Sequence, residues 1–176
     1  MKKVRLATVW LDGCSGCHMS LLDMDEAIAA VAAKADLVYG PLVDAQEFPE
    51  GVDVTLVEGA VSSQDDLEKI KVVRERSRLV VALGDCATNG NVPAMRNAIP
   101  VKRLLDWIYV ENVQAEPGIP AQGVPQLRRH AVPVHEVVKV DLHVPGCPPP
   151  SKAIAFVVGE LLDGRMPDLG AKVKFG

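Results

Sequence analysis

Apolar positions in this chain fall into short continuous runs, separated by stretches with helical spacing. Val4-Arg5-Leu6-Ala7-Thr8-Val9-Trp10-Leu11 is apolar and β-branched and predicts a first strand, followed by a Gly-containing loop over residues 12–17. Over residues 18–34, Leu21, Leu22, Ile28 and Val31 recur among alanines, and Asp23, Asp25 and Glu26 stand near the start, where a helix dipole favours acids. One helix is expected there. Residues 36–39 predict a short strand stopped by Gly40-Pro41, and Val52-Asp53-Val54-Thr55-Leu56-Val57 predicts the next, ending at Glu58-Gly59. Ser62 or Ser63 then caps a helix to about residue 75, with Asp65, Asp66 and Glu68 in its first turns.

The run at residues 78–83, Arg-Leu-Val-Val-Ala-Leu, is the most strand-like in the chain. A helix opened by Pro100 is expected to about residue 110, then a Pro- and Gly-rich loop over residues 111–133. A last strand is expected over residues 137–144 and a last helix over residues 151–163. Strands that alternate with helices and are apolar throughout, rather than on alternate positions, indicate a parallel sheet buried on both faces. The expected fold is α/β: a flavodoxin-like doubly wound parallel sheet with helices on both faces.

A length of 176 residues fits a single domain over 1–176. The chain is 48% hydrophobic and 24% charged with a net charge of −4, which excludes a disordered chain and gives no footprint for nucleic acid. No apolar run approaches the roughly 18 residues of a membrane span. Lys2 and Lys3 precede apolar residues, but Arg5 interrupts that run and no small-residue cleavage site follows Asp12, so a cytoplasmic protein is expected. Mean hydropathy is +0.14. Buried parallel strands or an apolar face hidden against a partner would each account for it.

The cysteines carry the chemistry. Cys14 and Cys17 follow the first predicted strand, Cys86 follows the strongest, and Cys147 follows the last. In an open α/β sheet, the carboxyl ends of the strands are where ligands bind. Inert core thiols would show no such preference for one edge. Four thiolates suit zinc or an iron–sulfur cluster. One close pair and two distant single cysteines fit a 4Fe–4S cluster better than the paired knuckles of structural zinc. A redox dithiol at Cys14 and Cys17 would leave the other two cysteines without a role.

Cys14-Ser15-Gly16-Cys17, Val57-Glu58-Gly59, Gly84-Asp85-Cys86-Ala87 and Pro145-Gly146-Cys147-Pro148-Pro149 together resemble the small subunit of nickel–iron hydrogenases, over nearly the whole chain. The resemblance is to the short form found in cytoplasmic, bidirectional NAD-linked enzymes. It implies that Cys14, Cys17, Cys86 and Cys147 bind the 4Fe–4S cluster nearest a nickel–iron centre held by a partner large subunit. It also implies flavin- and NAD-binding diaphorase partners. The related complex I iron–sulfur subunit has adjacent cysteines where this chain has Cys14 and Cys17 separated by two residues, and stands second.

Glu58, at the end of an interior strand, is a candidate proton carrier or cluster-tuning residue; a solvated strand-end acid is the simpler alternative. His18 could donate to a cluster sulfur or merely open a helix. Asp12 and Asp85 could add negative charge near the cluster or cap helices. Flavodoxins bind FMN at this same edge, but the first loop carries two cysteines in place of a Ser- and Thr-rich phosphate loop, which leaves FMN weakly supported. The chain is expected to be an electron-transfer subunit that is not catalytic alone. The competing reading from a different class is a zinc-stabilised interaction protein.

Overall fold

The computed structural model describes residues 3–114 and 116–170. In chain order the elements are β1 (Val4–Trp10), α1 (Gly16–Leu22), α2 (Ala27–Lys34), β2 (Ala35–Tyr39), β3 (Val52–Glu58), β4 (Val61–Ser63), α3 (Gln64–Arg76), β5 (Ser77–Leu83), α4 (Asp85–Asn89), α5 (Asn91–Ala94), α6 (Val101–Asp106), β6 (Leu127–Val132), β7 (Leu142–Val144) and α7 (Ser151–Leu162). The apolar runs become one parallel sheet in the order β2-β1-β3-β5-β7. This is the strand order of flavodoxin-like sheets, with its switch point beside β1.

Both faces of the sheet are covered, which is why the strands are apolar at consecutive positions. Leu6, Val54, Leu56, Val81 and Leu83 pack on one side with Ile154, Val157, Val158 and Leu161 of α7 and with Leu21, Ile28 and Val31 of α1 and α2. Ala7, Val9, Val57, Val80 and Ala82 pack on the other with Ile70 and Val73 of α3. Each fully buried Val, Leu or Ile contributes about 1.5–3 kcal/mol relative to exposure. Ser63 caps α3 as expected: its hydroxyl accepts from the Asp66 N–H, and the Asp66 carboxylate accepts from the Ser63 N–H at 2.9 Å, a reciprocal capping box.

Four expectations need correction. The helix expected over residues 18–34 is two, because the chain turns at residues 23–26 with Asp25 at φ 50. Asp tolerates this left-handed conformation, and three acids within one turn disfavour a continuous helix. The loop at residues 111–133 contains β6, which pairs antiparallel with β4 in a second small sheet. The helix opened by Pro100 has only six α-helical residues and continues as a π-helical turn, Trp107–Glu111. The last strand has three residues rather than eight. Val137, Val138 and Val140 leave the sheet edge and pack into the second core, and the Asp141 carboxylate takes up the Val80 N–H at 2.9 Å in place of a neighbouring strand. Among the described residues, no helix is long and apolar enough to cross a membrane.

Candidate iron–sulfur centre

Register alone brings the strand ends together. Trp10 pairs with Glu58, Glu58 with Leu83, and Leu83 with Val144, so the last residues of β1, β3, β5 and β7 form one row across the sheet. Neighbouring strands are about 4.8 Å apart, so the row spans roughly 14 Å, and the loops beyond it can reach a shared centre. Cys14 and Cys17 follow β1, Cys86 follows β5 and Cys147 follows β7; from β3 comes Glu58 itself.

The loops are fastened in pairs. The Leu11 N–H bonds the Glu58 carbonyl at 3.0 Å, and Asp12 exchanges two backbone bonds with Ala60. Across the other half, the Gly84 N–H bonds the Val144 carbonyl at 2.7 Å and the Asp85 N–H bonds the Gly146 carbonyl at 2.9 Å. The Asp85 carboxylate accepts from the Gly146 N–H at 2.7 Å. Asp85 therefore clips the Cys86 loop to the Cys147 loop and makes no side-chain cap on α4. Ser20 of α1 donates to the Pro149 carbonyl at 2.6 Å, tying the Cys17 helix to the segment after Cys147.

Close packing and positive φ restrict Gly59, Gly84 and Gly146 to glycine, and Gly84 meets a cysteine sulfur. Gly84 has φ +83, and a β-carbon there would lie 2.2 Å from the Cys17 sulfur. The first loop turns at Ser15, in the left-handed region at φ 63, so that α1 starts between the two cysteines.

The four thiols are free cysteines and near enough to affect one another. Burial pushes the Cys17 thiol up to about 12, and the charges of Glu58, Cys86, Cys14 and Cys147 push in the same direction. Burial and the neighbouring Cys147 and Cys14 likewise raise Cys86. Four thiolates cannot share this edge without positive charge among them. Iron would supply that charge, so the donor set fits a cluster. Among the described residues, no group of three or more His, Cys, Asp or Glu side chains is placed to hold a single metal ion.

Glu58 is no solvated strand-end acid. It is 2% exposed, and its Oε2 accepts from the His18 N–H at 2.7 Å and lies 2.7 Å from the His18 Nδ1. His18, in the first turn of α1, anchors that helix to Glu58, and its other ring nitrogen, Nε2, is buried without a partner. The side chain of Asp12 plays no visible part. His143 meets His135 edge-on, ring centroids 5.5 Å apart.

Two residues went unread in the sequence. The Asn91 side-chain amide donates to the Cys147 sulfur at 3.3 Å, and the backbone of Val92 hydrogen-bonds Cys86. A Gly90-Asn91 pair just beyond a ligand helix is a turn signal, and it was the only trace of this contact. Around the site stand exposed apolar side chains, among them Trp10, Met19, Leu42, Val92 and Met95. Trp10, Met19, Leu22, Leu37 and Leu42 line a cavity of about 350 Å³ beside His18.

Comparison with known proteins gives the chain a family. Residues 14–161 match the family described as NADH ubiquinone oxidoreductase, 20 Kd subunit. The chain is 39% identical over 176 residues to the delta subunit of the NAD-reducing hydrogenase HoxS of Cupriavidus necator, covering 97% of this chain and 84% of that protein. It is 38% identical to a vhu-type subunit of the F420-non-reducing hydrogenase of Methanocaldococcus jannaschii, covering 97% of this chain and spanning 60% of that protein's length. Among solved structures, an NAD+-reducing NiFe hydrogenase in the H2-reduced state superposes with a TM-score of 0.93 at 38% identity, over 98% of both chains. A NiFeSe hydrogenase from Desulfovibrio vulgaris Hildenborough, at 22% identity and a TM-score of 0.61, shares the fold.

Proposed function

The chain belongs to the NADH ubiquinone oxidoreductase 20 Kd subunit family and stands within it beside hydrogenase small subunits, and from that premise we propose that it carries electrons for a cytoplasmic nickel–iron hydrogenase. Hydrogen is split or formed at a nickel–iron centre on a large subunit. Flavin- and NAD-binding diaphorase chains exchange electrons with the other side. The whole chain acts as one domain whose working part is the row of strand ends. That row is the observation that carries the reading: four sulfurs delivered by three strands to one edge.

Cys14, Cys17, Cys86 and Cys147 are the ligands. Bound there, a 4Fe–4S cluster would supply one-electron transfer. The protein's share is to fix the sulfurs and exclude water. Asp85 and Ser20 hold the ligand loops in register, and Gly84 leaves room for Cys17. The exposed apolar side chains around the site fit burial under the large subunit, since obligate interfaces are more apolar than free surface. Glu58, buried and bonded to His18, holds a proton-accepting oxygen at the same edge.

Glu58 separates structure from function. Glu58→Ala leaves the His18 N–H without an acceptor and is expected to cost about 1–3 kcal/mol in denaturant unfolding. Glu58→Gln keeps an acceptor oxygen and its shape, so it should retain stability and iron content while lowering hydrogen turnover by about 100-fold or more, the scale of a lost proton-transfer group. Unchanged turnover in Glu58→Gln would leave the residue a structural anchor for α1.

The reading is tested by co-expression with a nickel-binding large subunit. A brown complex with about four iron atoms and about four acid-labile sulfides per small subunit is expected. Hydrogen consumption is expected from the complex and not from the chain alone. A colourless complex containing zinc, or hydrogen consumption by the isolated chain, overturns it.

A further inference from the structure

The turn after α4 donates hydrogen bonds to two of the four ligand sulfurs. The backbone of Val92 serves Cys86, and the Asn91 side chain serves Cys147 at 3.3 Å from its Nδ2. The Asn91 backbone is shaped for this task. It has φ 30, a region where Asn is enriched, and its N–H is held by the Asn89 side-chain oxygen at 2.9 Å. Among the described residues, this is the side-chain amide bonded to a cysteine ligand. Asp85 clips the same Cys147 loop at Gly146, so the loop has a firm position against which the amide can act.

We propose that Asn91 sets the reduction potential of the cluster by donating its amide hydrogen to the Cys147 sulfur. The inference rests on the cluster assignment of the preceding section. Reduction adds negative charge to the cluster and its sulfurs. A hydrogen-bond donor stabilises that added charge, so it favours the reduced form and raises the potential. Because the donor is a side chain, it can be removed without disturbing the ligand.

Two substitutions suit the local backbone. Asn91→Gly keeps the left-handed conformation and removes the donor. Asn91→Asp keeps the size and puts a negative acceptor in its place. Both are made in the complex with the large subunit, with iron and sulfide measured first and the midpoint then read by redox titration followed by electron paramagnetic resonance. The midpoint is expected to move to more negative potential in both, and further in Asn91→Asp. In the unsubstituted complex, labelling asparagine side chains with nitrogen-15 should add a nitrogen coupling to the spectrum of the reduced cluster. An intact cluster whose midpoint is unmoved in both variants, or an unsubstituted complex without the asparagine coupling, overturns the role of Asn91 and leaves the cluster assignment standing. A complex with no iron or sulfide overturns both.

Discussion

Replacing Cys14, Cys17, Cys86 or Cys147 singly by Ser is expected to remove or convert the cluster and cut hydrogen-dependent electron flow by at least about 100-fold, beyond the range usual for residues that only support metal ligands. The physical reason is that each sulfur comes from a separately placed loop position and none has a spare. Cys17 should be among the most severe: it is half-buried and packed against Gly84 in the crowded centre of the edge. Iron and sulfide content, the spectrum of the reduced complex and hydrogen consumption check it together. Full activity and a full cluster in any two variants would rule out the four-cysteine ligand set.

Gly84→Ala should be nearly as damaging without touching a ligand. A β-carbon at Gly84 falls 2.2 Å from the Cys17 sulfur, and the positive φ there adds about 1–3 kcal/mol of backbone strain. The sulfur must move or the strand end must open, and either takes Cys17 out of the cluster geometry. Gly51 is the control: at φ +66 it has nothing within 4 Å of a built β-carbon, so Gly51→Ala carries the strain alone. Iron content should collapse in Gly84→Ala and hold in Gly51→Ala, with both melting temperatures lowered. Equal iron in the two variants would show that the site can give way around the added methyl group.

Why some of this could be read from the sequence and some could not follows from the physics of each element. β1, β3, β5 and α7 were legible because each carries its burial in its own residues. β6 was not: Leu-Arg-Arg-His-Ala-Val is charged, and its pairing with the three-residue β4 is a tertiary event. The apolar residues 137–140 suggest more strand than β7 has, because burial in the second core satisfies the same valines. The shared cysteine edge was legible from topology. Cysteines at the carboxyl ends of parallel strands must lie on one edge, whatever the loops do. Glu58 was legible as a position and not as a pair, since nothing in sequence spacing links it to His18. The Asn91 contact depends on the turn at Gly90 and on where the Cys147 loop comes to rest, and neither is local.

The row of strand ends also fixes when the centre can come into being. Its sulfurs are drawn from residues 14, 17, 86 and 147, and Cys147 reaches the others only once the three-residue β7 has docked beside β5. Pairings that distant in sequence form late, because their loop-closure entropy is met only after local structure exists. On the ribosome, the first half of the chain therefore emerges with three of the four thiols, while the fourth is more than a hundred residues behind the first pair. Metal offered during synthesis would meet an incomplete and misleading site. If the edge holds the proposed cluster, loading would wait for the finished sheet, and delivery of iron and docking of the partner subunit would compete for one and the same open edge.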